Sequence, residues 1–151
     1  MPPDPLGSQN SLLLSPDGRF LFAVNAGSNE VSSFNVLPGG LSLADKVSSG
    51  GSYPVSLAYS EGLLYVLNAA GDGSISGFKV MDDGHLKALK GSTRSLHAAT
   101  PANGAQPMIL ESPAEVVFNP DGRFLLFAKG KPLRKVAAEK AVDALLNEIK
   151  K

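Results

Sequence analysis

The feature that most constrains the fold of this chain is a phrase that occurs twice, 104 residues apart. Residues 15–22 read Ser-Pro-Asp-Gly-Arg-Phe-Leu-Phe, and residues 119–126 read Asn-Pro-Asp-Gly-Arg-Phe-Leu-Leu. In each copy Pro, Asp and Gly favour a tight turn, and the residues after Arg are apolar with high β propensity. A turn that leads into an apolar strand, repeated along a chain, indicates a protein built from repeated antiparallel units.

Strand-like segments fill the interval between the two copies. The predicted strands are 12–15, 20–25, 30–36 and 41–48 in a first unit, 55–59, 63–68, 74–80 and 85–89 in a second, and 115–119 and 123–128 in a third. Aligning Asn25 with Asn68 and Phe34 with Phe78 gives a period of 43 to 44 residues. Because β-propeller blades repeat every ~40–50 residues, we predict a mainly β fold of about 2.5 antiparallel, four-stranded propeller blades.

The predicted domain boundaries follow from these units. Residues 1–10 are expected to be a flexible lead-in, and the blades are assigned to 11–50, 53–92 and, incompletely, 112–130, with an inserted loop at 93–111.

A change of composition marks the C-terminal segment, residues 131–151. It contains no glycine and no aromatic residue, and strong helix formers predominate from Val136 onward. Pro132 suits the first turn of a helix. The residues spaced to form one apolar stripe are Ala138, Val142, Leu145 and Ile149. We predict one amphipathic C-terminal α-helix over 131–151, and its contrast with the preceding blades leaves open whether it is native to them.

Overall composition excludes several function classes. Lys plus Arg equal Asp plus Glu at 14 each, so net charge gives no support to a nucleic-acid or anionic-membrane partner. The absence of cysteine excludes disulfides, thiolate zinc sites and cysteine nucleophiles. No signal peptide is visible and no apolar run approaches the ~18 residues of a membrane span. We predict no cofactor and no metal. The sequence is compatible with a cytosolic or an exported protein, so the location is unknown, with cytoplasmic as the default.

Glycine-rich loops admit two interpretations. Asp17-Gly18 and Asp121-Gly122 resemble parts of calcium loops, but they lack the alternating carboxylates of such loops. Gly71-Asp72-Gly73 lacks both the Lys-Ser/Thr ending and the following helix of a phosphate-binding loop. We predict tight turns at all three places, with Gly supplying a positive φ. Asn25 and Asn68, which end matching strands, are predicted to bond the backbone of the next blade.

Residues 10–31, 49–58, 64–69 and 73–78 resemble the lactonase-type seven-bladed β-propellers, a family that includes bacterial phosphogluconolactonases and fungal carboxymuconate cyclase-like proteins. The resemblance covers roughly residues 10–130. It implies seven blades around a central channel, which at this period need about 300 residues. The expectation is therefore a truncated lactonase-like segment without autonomous catalysis, with a structural or self-associating role.

An alternative function is lactone hydrolysis or muconate-type cyclisation, active only if oligomerisation completes the propeller. Lactone chemistry in water needs a group that moves a proton and a cation that holds the developing oxyanion. Arg94 and His97 in the inserted loop, with Glu111 closing it, are the candidate catalytic residues. Solvent exposure in a loop is their other interpretation. His85, the second histidine, is predicted to be an exposed strand residue.

Self-association is the partner prediction. An incomplete ring leaves an apolar face and an unpaired sheet edge, so we expect a homo-oligomer formed through the open blade edge and the C-terminal helix. The stripe of the helix either packs on a β-sheet or pairs with a second copy as a short coiled coil.

Overall fold

A computed structural model describes residues 10–97, 113–118, 124–128 and 131–136. Twelve β-strands occur in these residues: β1 Leu12–Leu14, β2 Phe20–Asn25, β3 Glu30–Leu37, β4 Gly40–Ser48, β5 Pro54–Ser60, β6 Leu63–Asn68, β7 Ser74–Val80, β8 Leu86–Ala88, β9 Arg94–Ser95, β10 Glu115–Phe118, β11 Phe124–Ala128 and β12 Lys131–Val136. They form three antiparallel sheets. We call β1 to β4 blade 1, β5 to β8 with β9 blade 2, and β10 to β12 blade 3. The predicted mainly β fold is confirmed.

The repeated Pro-Asp-Gly phrase forms the turn between β1 and β2. Gly18 has a φ of 71°, which is in the left-handed region that glycine adopts without a steric penalty. Its amide donates to the carbonyl of Ser15 at 2.8 Å, and Asp17 accepts from the amide of Arg19 at 3.1 Å. The prediction of a tight turn at Asp17-Gly18 is therefore confirmed, whereas Asp121-Gly122 lies outside the described residues.

Two apolar layers join the three blades. The first lies between blades 1 and 2, where Phe22 stacks on Tyr59 at 5.6 Å between ring centroids. Its buried members are Phe20, Phe22, Val24, Val31, Leu57, Leu64, Val66, Phe78, Val80 and Leu86. The second lies between blades 2 and 3, where Tyr65 meets Phe118 edge to face at 5.7 Å. Blade 2 is thus covered on both faces, as expected for β6, whose first five residues are Leu, Leu, Tyr, Val and Leu.

Hydrogen bonds connect the first strands of the three blades. The Leu57 amide donates to the carbonyl of Asn10 at 3.0 Å, and the Val116 amide donates to the hydroxyl of Ser56 at 3.2 Å. The Asn10 side-chain amide reaches the carboxylate of Glu115 at 3.0 Å. The strands β1, β5 and β10 therefore lie side by side, in the arrangement of the innermost strands of a propeller.

The C-terminal segment differs from its prediction. Lys131–Val136 is a strand that pairs antiparallel with β11, so the helix predicted over residues 131–151 does not begin at Pro132. The edge of β11 offers a row of backbone partners, and pairing with it outweighs the weak helical propensity of these six residues. Residues 137–151, with the predicted apolar stripe, lie outside the described residues.

A second difference concerns the inserted loop predicted over 93–111. Arg94 and Ser95 form β9, which pairs with Ile75 and Ser74 of β7. The start of this segment therefore belongs to blade 2.

Candidate functional site

The polar end of the molecule, as we call it, is the end of blades 1 and 2 at which β2 and β6 finish and β3 and β7 begin. Residues 49–53 connect the blades here, joining β4 to β5. Gly50 has a φ of 77°, and a Cβ added at Gly51 would lie only 2.6 Å from both Asn68 Cγ and Ser74 Oγ. This connection therefore packs directly on the ends of β6 and β7, which places backbone groups next to buried polar side chains.

Asn68 is the largest fully buried polar side chain at the polar end. It is fully buried, and its Nδ2 lies 3.3 Å from the carbonyl oxygen of Ser49 and 3.4 Å from Ser74 Oγ. The prediction that Asn68 bonds the backbone of the next blade is wrong, because Ser49 belongs to the connection from the preceding blade. The matching Asn25 instead donates to the hydroxyl of Ser32 within blade 1, at 2.8 Å. The two asparagines are therefore equivalent in position but not in partner.

Two hydroxyl residues before β9 hold this segment on blade 2. Ser92 accepts from the Gly77 amide at 2.9 Å and donates to the Gly77 carbonyl at 3.2 Å. The hydroxyl of Thr93 lies 3.1 Å from that of Ser76. These contacts were not predicted from the sequence, because isolated Ser and Thr residues after an apparent blade end look like ordinary loop residues.

Arg94 extends from this segment and is exposed. Its Nη1 donates to the carbonyl of Thr93 at 3.1 Å and to that of Gly91. A guanidinium group in this position binds the backbone of its own loop.

His97 lies three residues further along and is also exposed. It has a φ of 52°, its amide donates to the Ser95 hydroxyl at 3.2 Å, and its Nδ1 lies 3.5 Å from the same hydroxyl. The structure thus places a cation and an imidazole on one short segment of the polar end. Glu111, the third predicted catalytic residue, lies outside the described residues.

An ion pair lies near the same end of blade 1. Lys46 Nζ is 3.5 Å from a carboxylate oxygen of Glu30. The pKa of Glu30 is lowered, first because the Ser28 hydroxyl donates to its carboxylate and to a smaller degree because of the Lys46 charge. Glu30 is therefore an anion at neutral pH, which does not suit it to act as a general acid.

The opposite end of the two blades carries contacts of a structural kind. Arg19 Nη2 donates to the carbonyl of Asp82 at 2.8 Å, and Asn35 donates to that of Asp83 at 3.1 Å. His85 is exposed, as predicted, but it precedes β8 and is not itself a strand residue. Its Nδ1 lies 3.1 Å from Asp83 Oδ1. The pKa of Asp83 is lowered chiefly by the hydrogen bond from the His85 amide. The hydrogen bonds from Arg19 and Asn35 hold blade 1 on the β7–β8 turn.

Neither a metal centre nor a membrane-spanning helix is found in the part of the chain that the structure describes. No group of three His, Cys, Asp or Glu side chains in it is placed to share a metal ion. Nor does it include a helix with the length and apolarity that crossing a membrane requires.

Repeated antiparallel sheets, packed face to face with their first strands side by side, define the chain as part of a β-propeller. The family model of the seven-bladed β-propeller lactonases matches residues 5–131. The chain belongs to this lactonase family, as the sequence resemblance predicted.

Solved structures agree with this assignment. A proposed 6-phosphogluconolactonase from Bacteroides fragilis is 26 % identical with a TM-score of 0.63, over 80 % of this chain and 34 % of that one. A protein from Lactobacillus plantarum is also 26 % identical, with a TM-score of 0.51 over 62 % of this chain and 27 % of that one. The periplasmic gluconolactonase of Pseudomonas aeruginosa shares the fold at 22 % identity and a TM-score of 0.56, over 83 % and 38 %.

The chain thus spans about a third of the length of these structures. No curated protein matches its sequence.

Proposed function

We propose that this 151-residue chain is a truncated lactonase-like segment that supplies blades to a propeller and does not hydrolyse lactones by itself. The observation that carries the proposal is the bonding at the polar end. Asn68 and Ser92 are buried and bind backbone groups of the segments around them, and Arg94 binds the backbone of its own loop. Side chains that hold the backbone have a structural role, whereas a catalytic site directs its polar groups towards a substrate.

Blade number supports the same proposal. The described residues supply three blades, whereas the family fold places seven around its channel. A substrate that binds in such a channel contacts side chains from several blades. The three blades present here therefore offer only part of that lining.

The test is hydrolysis of a panel of sugar and muconate lactones, including gluconolactone and its 6-phosphate, by the purified chain. We expect no rate above spontaneous hydrolysis, with a full-length member of the family as the positive control. A saturable rate that survives further purification and scales with protein concentration would contradict the proposal.

Lactone hydrolysis at Arg94, His97 and Glu111 is the second candidate. It is favoured by the placement of Arg94 and His97 within three residues at the polar end. On this hypothesis the imidazole moves the proton and the guanidinium stabilises the oxyanion, so His97→Ala and Arg94→Ala should each reduce a measured rate by ~100-fold or more. His85→Ala is the matched control, since that exposed histidine lies at the other end of blade 2. Equal rates in all the variants would eliminate the candidate.

A further inference from the structure

Blade 1 has one apolar face that no described residue covers. The register aligns Leu14, Leu21, Phe34 and Leu43 across the four strands, and it aligns Val36 with Leu41. Leu12 lies two residues from Leu14 and so faces the same way. The exposed members of this open face are Leu12, Leu14, Val36, Leu41 and Leu43, with 37 to 62 % of each residue accessible. Contiguous apolar exposure of this kind marks an interaction surface.

The internal repeat shows what such a face binds. Through their strand partners, Leu12 corresponds to Leu57, Leu21 to Leu64, Phe34 to Phe78, Val36 to Val80 and Leu41 to Leu86. These five residues of blade 2 are at most 8 % exposed. They are buried because blade 1 packs on them with its other face, which presents Phe20, Phe22 and Val24. A face with this pattern is therefore complementary to another blade.

The chain itself provides a blade of the required kind. Blade 3 packs on blade 2 through Val116 and Phe118 of β10, so the intervening Val117 lies on the side that faces away from blade 2. That far side of blade 3 corresponds to the blade 1 face that carries Phe22. One copy of the chain thus carries both complementary surfaces, the open face of blade 1 and the far side of blade 3.

We propose that the open face of blade 1 binds the far side of blade 3 of a second copy of this chain, continuing the blade-to-blade packing across the two molecules. This inference rests on the proposed structural role and names its partner. Because the two surfaces differ, the interface is heterologous and closes into a ring or extends into a filament. Two copies supply six blades, and propellers of about four to eight blades form closed rings.

The test is the mass of the chain in solution against concentration, measured by sedimentation velocity and light scattering. We expect particles of at least twice the monomer mass of 15.7 kDa. The double variant Leu12→Lys and Leu43→Lys places two charges in the interface and should raise the dissociation constant by roughly 100-fold or more. Circular dichroism verifies that the variant keeps its β-sheet content.

Leu37→Lys is the matched control. Leu37 is 53 % exposed, but it follows Val36 in β3 and so lies on the other face of the sheet. Its variant should associate like the unmodified chain. A monomeric unmodified chain at every concentration, or association that both lysine variants retain equally, would overturn the proposal.

Mixing two variants distinguishes this interface from a symmetric one, in which the open face of one copy binds the open face of the other. Val117→Lys should block the far side of blade 3 while leaving the open face intact. An equimolar mixture of Val117→Lys with the Leu12, Leu43 double variant should form a capped dimer, because each supplies the surface that the other lacks. Failure of the mixture to associate, with both variants folded, would exclude the heterologous interface. Lactone hydrolysis is measured separately, so a rate in the assembled chain would overturn the non-catalytic role without affecting the interface.

Discussion

The side-chain amide of Asn68 lies 3.3 Å from the carbonyl oxygen of Ser49, so the end of β6 holds the connection through which the chain passes from blade 1 to blade 2. Asn68 is fully buried, and its Oδ1 has no hydrogen-bond donor among the described residues. A buried polar atom without a partner is unusual. Because Oδ1 has none, Asn68 stabilises the blade connection through its side-chain nitrogen alone.

Replacing Asn68 tests the importance of that contact. Asn68→Ala leaves the Ser49 carbonyl without its side-chain donor and opens a small cavity, so we expect the free energy of unfolding to fall by about 1–3 kcal/mol. The equivalent Asn25 is only half buried and bonds a side chain, so Asn25→Ala should cost less, about 0.5–1 kcal/mol. Urea denaturation measures both. A larger loss for Asn25→Ala would show that the connection does not depend on Asn68.

Gly51 is predicted to be intolerant of any side chain. The added Cβ of Gly51→Ala would lie 2.6 Å from Asn68 Cγ and Ser74 Oγ, so β6, β7 or the connection must move, at a cost of about 1–3 kcal/mol. Gly27→Ala is the matched control, because a Cβ there meets nothing within 4 Å. It should change stability by less than about 0.5 kcal/mol. Thermal denaturation of the two variants makes the comparison, and equal melting temperatures would contradict the prediction.

Acid should weaken the turn between β1 and β2. The pKa of Asp17 is below its ordinary 3.8, first because the Ser15 hydroxyl donates to its carboxylate and next because of the Arg19 amide. A carboxyl whose pKa is lower in the folded state stabilises the fold above its unfolded pKa, and this contribution disappears as pH falls through the folded pKa. Asp17→Asn should therefore flatten the loss of stability below pH 3.8, as measured by urea denaturation at several pH values. An unchanged acid profile would contradict the assignment.

Much of the fold could be predicted from local sequence. Turn residues such as Asp17-Gly18 and alternating segments such as β3 specify strand positions directly, and the period between Asn25 and Asn68 identifies the blade. The strand β12 could not be predicted in the same way. Its six residues have only weak helical propensity and were assigned to a helix together with the strong helix formers that follow them. Only the neighbouring β11 provides the backbone partners that make them a strand.

The candidate site was less predictable than the fold. Arg94 and His97 were selected by residue type alone, and the sequence carries no signal that Ser92 and Thr93 would fasten the preceding segment to β7. The sequence predicted an apolar face on an incomplete ring but did not show which blade carries it, because Leu12 and Leu57 look alike in sequence. Their exposure differs only because one has a blade packed against it.

The hydrogen bonds among the first strands of the three blades affect how the molecule unfolds. In many repeat proteins neighbouring units touch through side chains and melt by fraying from the ends. Here the Asn10 carbonyl accepts from β5, and Ser56 of β5 accepts from the backbone of β10. Blade 2 cannot leave its neighbours without exposing unpaired backbone groups on both sides. We therefore expect the three blades to unfold as one cooperative unit, with the amide hydrogens of the middle blade exchanging last.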